Sequence, residues 1–328
     1  MVTFISLIIL RPVSLKINLI DYPNNRKKHA GNIPLIGGIS IFIGVLASQI
    51  YLFQFNLISN LMLFASLLIL LLGIYDDIHN LKARTKLYLQ LTIVTIFVFL
   101  TQIQIDSLGN LFELSNSLDL GVLSIPFTII AVVGLINAFN MIDGIDGQAA
   151  ILATLAIFGI FFSNLDLIGL NFYNIILALF GGLIPFLIFN INSSNKIKVF
   201  LGDGGSLFIG FIIAMSLIYS SQNANVITPR FALWCVSIPL YDFFGVIVLR
   251  KIEKRSLFLA NRDHIHHFLH SFGLSKTVVL LSISFAGISM LILGYFLENN
   301  CSSFSFLIFI ILFLIYLIIR ITFRAKNI

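Results

Sequence analysis

The sequence predicts an all-α, polytopic helical bundle in a membrane, and three observations support this fold class. Of the 328 residues, 59% are apolar and 10% are charged, whereas soluble domains carry about 25% charged residues. Apolar runs of 17–21 residues recur, each long enough to cross the roughly 30 Å hydrocarbon core as a helix. The basic residues fall in alternate connections. Because no connection exceeds about 27 residues, we expect one integral-membrane domain over 1–328.

About 11 transmembrane helices are predicted. The first, residues 1–10, is apolar but only ten residues long before Arg11, so it is either a short helix supported by its neighbours or the end of a helix that begins upstream. It has no leading positive charge and no small-residue cleavage site, which argues against a cleavable signal peptide. The other ten spans are predicted at 34–53, 57–75, 88–103, 125–141, 149–163, 173–191, 200–220, 231–249, 277–297 and 304–322.

The charges give the bundle an orientation. Nineteen of the twenty Lys and Arg residues lie on or beside one face, and only Arg230 lies on the other. Basic residues concentrate on cytoplasmic loops, so this face is predicted to be cytoplasmic. The same face receives all six histidines and nine of the fourteen acidic residues. Carboxylates at the mouths of membrane helices are costly unless they bind something, so the clustering favours an enzyme.

An adjacent acidic pair, Asp76 and Asp77, ends the predicted span 57–75. The negative end of the helix dipole disfavours each carboxylate there by roughly 0.3–1 kcal/mol, and the two carboxylates repel each other. A compensating cation is therefore expected, and the alternatives are a metal ion or a basic residue of the next connection: Lys82, Arg84 or Lys86. A salt-bridged surface turn is the other interpretation.

A second cluster places Asn137, Asn140, Asp143 and Asp146 at every third position. This spacing predicts that the four side chains share a broad helical face. Four oxygen-bearing side chains suit a hard cation such as Mg²⁺, or a sugar or base with many hydrogen-bonding groups. A polar helix cap is the alternative, but a cap needs only one such residue.

Two further motifs point to phosphate. Asp203 lies among glycines where the eighth span begins; it is either an ordinary helix cap or part of a backbone that approaches a phosphate closely. Arg262, His264, His266 and His267 form the other motif. No fourth-ligand pattern accompanies these histidines, so phosphate recognition is favoured over zinc, and a solvated loop is the alternative.

Five segments, taken in order, resemble the polyprenyl-phosphate N-acetylhexosamine-1-phosphate transferases of glycosyltransferase family 4. They are DYPNNRKKHAGNIPLIGG, DD followed by Lys86, NAFNMIDGIDG, FLGDGGS and RDHIHH. The spacing and order match the family's cytoplasmic motifs across nearly the whole chain. NAFNMIDGIDG and RDHIHH are most similar to the bacterial branch that uses UDP-N-acetylglucosamine and undecaprenyl phosphate.

The resemblance implies an eleven-helix fold and a reaction. Undecaprenyl phosphate attacks the sugar-linked phosphate of a UDP-N-acetylhexosamine at the cytoplasmic face of the bacterial inner membrane, UMP leaves, and the lipid-diphosphate-sugar starts a cell-envelope glycan. Mg²⁺ is the implied cofactor, with Mn²⁺ as an alternative. Direct displacement is favoured over a covalent intermediate, and Asp76 is implied to deprotonate or orient the lipid phosphate.

Residue roles follow by position in the motifs. The implied metal ligands are Asn140 and Asp203. The implied catalytic residues are Asp76, Asp77, Asp143 and Asp146. The implied contacts to substrate and phosphate are Lys86, Asn137, Arg262, His264, His266 and His267.

The chain departs from the family's usual pattern at Gln148, which stands where Leu often follows DGIDG, and at Leu257 and 260–261 before the histidine motif. That loop is implied to read the sugar, so UDP-MurNAc-pentapeptide or another UDP-sugar remains an alternative donor. The glycan pathway and the oligomeric state, including a homodimer, are left open.

Other classes of protein are less well supported. A transporter needs ionisable groups near the bilayer midplane, and Asp242 is the one candidate, although it could also belong to the cytoplasmic mouth. A membrane subunit without activity would tolerate neutral residues in place of the acidic clusters. Nucleic acid is not an expected partner, because the basic residues lie on short loops without a binding motif. The lipid bilayer is an expected partner.

Overall fold

A computed structural model describes residues 1–23, 31–52, 56–113, 117–163, 171–191, 197–256 and 263–326. These residues form helices joined by short connections, with one antiparallel pair of two-residue strands, β1 (Ile20–Asp21) and β2 (Ile33–Pro34). The helices are α1 Val2–Lys16, α2 Gly37–Tyr51, α3 Leu57–His79, α4 Ala83–Thr101, α5 Ser124–Ile142, α6 Gln148–Ser163, α7 Asn171–Asn190, α8 Gly202–Ile218, α9 Pro229–Cys235, α10 Ser237–Ile252, α11 Ile265–His270, α12 Lys276–Asn300 and α13 Ser302–Lys326.

Each of the eleven predicted apolar segments is helical, which confirms an all-α membrane protein. Within the described residues, seven helices are long and apolar enough to cross a membrane alone, and α9 with α10, bent by 81°, makes an eighth. The other three, α1, α2 and α6, have 15 or 16 residues. The prediction that the first helix stops before Arg11 was wrong: α1 continues to Lys16, and Arg11 donates to the carbonyl of Lys198 at 2.8 Å.

Helix α8 forms the centre of the bundle and is the most buried of the spans found in the described part of the chain. Glycines allow its neighbours to approach at backbone distance. A Cβ on Gly73 of α3 would lie 2.3 Å from the Cα of Gly204, and one on Gly38 of α2 would lie 2.2 Å from the Cα of Gly205. Small residues at such crossings let membrane helices gain van der Waals contact. These two crossings hold the first turn of α8 between α2 and α3.

We expect Gly73→Ala to lower the thermal stability of the protein. The added methyl would lie 2.6 Å from the backbone carbon of Asp203, so α3 and α8 must separate, and overpacking of this kind costs about 1–3 kcal/mol. Gly181→Ala is the matched control, because no heavy atom lies within 4 Å of its added Cβ. Melting in detergent measures both variants; equal melting temperatures would contradict the importance of the crossing.

The entry to α2 is tied to the entry to α8 by backbone hydrogen bonds. Gly37 and Gly38 donate to the carbonyls of Phe200 and Leu201 at 2.9 and 3.0 Å, and Phe200 donates to Pro34 at 2.8 Å. Strand β2 therefore fixes the segment that precedes Asp203.

Polar residues gather at the two ends of the bundle as the alternation of spans predicts. At one end, here called the far end, Arg230 donates to the carbonyl of Asn110 at 2.8 Å and lies 3.3 Å from Glu298. The acidic and histidine motifs lie at the other, here called the motif end. Both cysteines are free: Cys235 is buried, and Cys301, between α12 and α13 near the far end, is exposed.

Candidate active site

One cavity of about 2000 Å³ opens at the motif end and collects most of the residues predicted to bind or react. Its wall includes Asp77, Lys86, Asn137, Asn140, Asp143, Asp146, Asp203, His264, His266 and His267. Asp76 is not part of the wall, although it is bonded to Lys86. Arg262, with Leu257 and residues 260–261, lies outside the described residues. The motifs are far apart in sequence, and the helix ends bring them together.

A partly buried ammonium lies between two carboxylates. Lys86 near the start of α4 is 2.7 Å from Asp76 and 3.0 Å from Asp203. Helix α3 ends at His79, and the φ of 51° at Asn80 turns the chain, so that the backbone N–H of Leu81 donates to the second oxygen of Asp76 at 2.7 Å. Of the cations that the sequence offered, Lys86 therefore compensates Asp76.

Asp77 caps α8. Its two oxygens accept hydrogen bonds from the backbone N–H groups of Asp203 and Gly204 at 3.0 and 3.3 Å. A carboxylate is favourable at a helix N-terminus, where N–H groups are unpaired and the dipole is positive. Gly202 adopts a φ of 76°, and a side chain there would meet Asp77 at 2.8 Å. Asp77 thus joins the end of α3 to the beginning of α8, a structural role that the sequence analysis missed.

The asparagines of α5 face two different neighbours. Asn140 donates to the hydroxyl of Ser206 on α8 at 2.9 Å, and its side chain also hydrogen-bonds to the carboxylate of Asp203. Asn137 donates to Gln90 on α4 at 2.6 Å and to the carbonyl of Val133 at 2.8 Å. Asn140 therefore belongs to the group around Asp203, whereas Asn137 braces α5 against α4.

The three-residue spacing does not continue as one helical face, because α5 ends at Ile142 and α6 begins at Gln148. Asp143 follows the last turn of α5, and Asp146 lies in the connection. Burial, together with the charges of Asp203, Asp146 and Asp77, raises the pKa of the Asp143 carboxyl to about 8. Several carboxylates close to one half-buried carboxyl group form a negatively charged site, which favours the binding of a cation.

Two residues that the sequence analysis did not select hold the connection after α5. Lys198 lies 2.6 Å from Asp146. Asn190, at the end of α7, accepts from the backbone N–H of Gly147 at 2.5 Å and donates to the carbonyl of Val199 at 2.8 Å. Sequence reasoning could have identified Lys198 from its position five residues before Asp203. It lies in a short connection between two apolar spans, at the same end of the bundle as Asp146 and Asp203.

The histidine motif lines the same cavity and packs against the connection that follows α5. His264 approaches Asp242 of α10 with its Nδ1 at 2.8 Å from a carboxylate oxygen. His266 is 3% exposed, and a Cβ on Gly144 would lie 2.0 Å from its ring. Burial, together with the charge of His267, lowers the pKa of His266 to about 3, so its imidazole is neutral and suited to hydrogen bonding. Asp242 supports this motif.

The residues around Asp203 fit a magnesium ion. Within the described residues, no group of three or more His, Cys, Asp or Glu side chains could hold a metal ion by itself. Magnesium, however, usually takes one or two protein oxygens and completes its shell with water and substrate phosphates. Asp203, whose side chain is 39% exposed, and Asn140 both line the cavity, and each carries such an oxygen. The donor set therefore suits an ion that arrives with a diphosphate.

The cavity also has a long apolar part. It runs between α4, α5 and α10 from the acidic cluster toward the connection at the far end. Its apolar wall includes Leu87, Leu91, Ile130, Phe243 and Ile247, and at the far end Leu108 and Leu111. The polar part and the apolar part of the cavity are thus continuous.

Comparison with known proteins identifies relatives along most of the chain. Residues 59–221 match the family model described as glycosyl transferase family 4. Three relatives are each named undecaprenyl-phosphate alpha-N-acetylglucosaminyl 1-phosphate transferase. Those of Pasteurella multocida and Haemophilus influenzae are 34% identical to this chain, over 86% of it and 80% of their own length. That of Yersinia pestis is 32% identical, over 88% of the chain and 79% of its own length.

Proposed function

The chain belongs to glycosyl transferase family 4, and we propose that it transfers N-acetylglucosamine 1-phosphate from UDP-N-acetylglucosamine to undecaprenyl phosphate. An oxygen of the lipid phosphate attacks the phosphorus linked to the sugar, the bond between the two phosphates of the donor breaks, and UMP leaves. The observation that supports this reaction best is the continuity of one cavity: the acidic cluster and Lys86 line its polar end, and an apolar groove leads away from it.

The polar end suits two negatively charged substrates. Lys86, bonded to Asp76 and Asp203, offers its remaining N–H to a phosphate oxygen. Because both oxygens of Asp76 already accept hydrogen bonds, Asp76 is better placed to orient Lys86 than to take a proton. A phosphate monoester has a second pKa of about 6, so the lipid phosphate attacks at neutral pH without a base. These contacts favour direct displacement over a covalent intermediate.

Magnesium, with manganese as an alternative, would be held by Asp203 and Asn140 and would neutralise charge on the diphosphate of the donor. Asp143 and Asp146 lie beside these ligands and face the nucleotide-sugar. His264, His266 and His267 line the same cavity, and their ring nitrogens would bind phosphate oxygens. Positioning and charge neutralisation account for most of the acceleration in phosphoryl transfer.

The apolar groove is the proposed binding site for the prenyl chain of the lipid. An extended prenyl chain between α4 and α10 would lie within the hydrocarbon depth, with its phosphate at Lys86. We place the motif end on the cytoplasmic side of the bacterial inner membrane, because nineteen of the twenty basic residues lie on or beside that face.

The purified protein in detergent tests this function. With UDP-N-acetylglucosamine, undecaprenyl phosphate and Mg²⁺, we expect UMP release and a lipid-diphosphate-sugar detected by mass spectrometry. Omission of the lipid or addition of EDTA should stop both. UDP-N-acetylgalactosamine and UDP-MurNAc-pentapeptide in parallel reactions identify the preferred donor. A protein that binds donor and lipid but forms no lipid product with Mg²⁺ or Mn²⁺ would refute the proposal.

A further inference from the structure

Asp242 is a buried carboxylate that makes two hydrogen bonds to the start of the histidine motif. It is 1% exposed. One oxygen lies 2.8 Å from Nδ1 of His264, and the other accepts the backbone N–H of Ile265 at 2.7 Å. A charge buried in a membrane helix is costly unless it is paired and hydrogen-bonded. These two contacts fix both the backbone and the ring at the first turn of α11.

The hydrogen bond to Asp242 selects one tautomer of the His264 ring. An ionised carboxylate can only accept hydrogen bonds, so the proton of the neutral imidazole lies on Nδ1. The other nitrogen, Nε2, then remains for a ligand in the cavity that His264 lines. A carboxylate behind a histidine commonly sets its tautomer and orientation in this way.

Helix α13 supports the carboxylate from behind. The hydroxyl of Tyr316 donates to Asp242 at 3.3 Å, and the guanidinium of Arg320 lies 3.6 Å from the same oxygen. Arg320 also donates to Tyr316 and to the backbone carbonyl of Asp263. A neighbouring cation keeps a buried carboxylate ionised, so Asp242 remains an acceptor.

We propose that Asp242 is a positioning residue for the phosphate transfer: it holds His264 with Nε2 directed at the phosphate of the departing UMP. This inference rests on the proposed function. An asparagine at position 242 can present its amide N–H groups to Nδ1 and so favour the wrong tautomer. Loss of an outer partner of this kind reduces activity by about 10- to 100-fold. Because negative charge on UMP grows as it leaves, the loss should fall on kcat, with KM for the donor changed by about twofold at most.

A purely structural role predicts something different. If Asp242 only stabilised α11 and α13, Asp242→Asn would lower the melting temperature and the yield of active protein, and its effect on turnover would not depend on residue 264. A double-mutant cycle separates the two roles, because residues that act through each other give non-additive effects.

The experiment compares kcat for wild type, Asp242→Asn, His264→Ala and the double variant, each corrected for folded protein. The result expected is a loss of about 10- to 100-fold for Asp242→Asn, and a double variant about as active as His264→Ala alone. Tyr316→Phe is the matched control: it removes a hydrogen bond to Asp242 but keeps the grip on His264, and should leave kcat unchanged within about twofold. If Asp242→Asn does not fold, Asp242→Glu keeps the charge beside Arg320 but moves it away from Nδ1, and the same loss of kcat is expected.

Three results would overturn the inference while leaving the proposed function intact: an unchanged kcat in Asp242→Asn or its substitute Asp242→Glu, additive losses in the double variant, or an equal loss in Tyr316→Phe. A wild-type protein that forms no lipid product would refute both.

Discussion

Lys86→Met is expected to reduce UMP release by about 100- to 1000-fold, the usual loss when one charged or hydrogen-bonding group is removed from a developing phosphate or oxyanion site. Lys86 contacts two carboxylates, and without its ammonium they face each other and the incoming phosphates with no protein cation between them. The repulsion between like charges disfavours both substrate binding and the folded state. The melting temperature should therefore fall together with turnover.

Lys82→Met is the matched control for this prediction. Lys82 lies four residues earlier, at the N-cap of α4, and is exposed, so its removal changes the net charge by the same amount. We expect its turnover to stay within about twofold of wild type, since isolated surface charges contribute little. Similar losses of turnover in both variants would show that turnover depends on the overall positive charge of this face and not on the contacts of Lys86 with Asp76 and Asp203.

Asp143→Asn should abolish most turnover and yet stabilise the protein at alkaline pH. The pKa of Asp143 is raised to about 8 in the folded protein. Between about pH 4 and pH 8 its carboxyl is therefore protonated in the folded state but ionised in the unfolded state. The folded state thus loses stability as pH rises from the unfolded pKa of about 4 to the folded value. Asparagine cannot ionise, so the advantage of the variant grows over this range and levels off above pH 8.

Melting temperatures at pH 5 and pH 8, measured with EDTA and without substrates, test the stability half of this prediction. The variant should exceed wild type clearly at pH 8 and little at pH 5. Turnover with saturating donor tests the other half, with a loss of about 100-fold or more expected for a catalytic carboxyl. A variant that melts below wild type at pH 8 would contradict the effect of burial and neighbouring charge on Asp143.

The fold was predictable from composition and spacing because a membrane leaves few alternatives: runs of about 20 apolar residues become helices, and connections alternate between two sides. The break in the ninth predicted span was not predictable. Residues 231–249 read as one apolar run, but the chain bends by 81° between α9 and α10. The end of α1 was also missed, because the partner that allows Arg11 within the helix is a backbone carbonyl far away in sequence.

Which residues line the site was predictable to a large extent, but their partners were not. Asp76 was selected because a carboxylate at the C-terminal end of a helix needs compensation, Asp143 because of the three-residue spacing, and Asp203 because of the glycines around it. The bonds of Asp77 to the first turn of α8 depend on how closely α3 and α8 cross, which no local pattern encodes. Asp242 was considered as a midplane charge, and its pairing with His264 appears only when α10 and α11 are placed together.

The different surroundings of the two cysteines have a practical consequence for orientation. With Cys235 enclosed and Cys301 open to the surroundings near the end opposite the motifs, the native chain carries a single reactive marker on one surface. A maleimide that cannot cross a lipid bilayer distinguishes, in intact cells and in inverted vesicles, which compartment that surface meets, without any engineered tag.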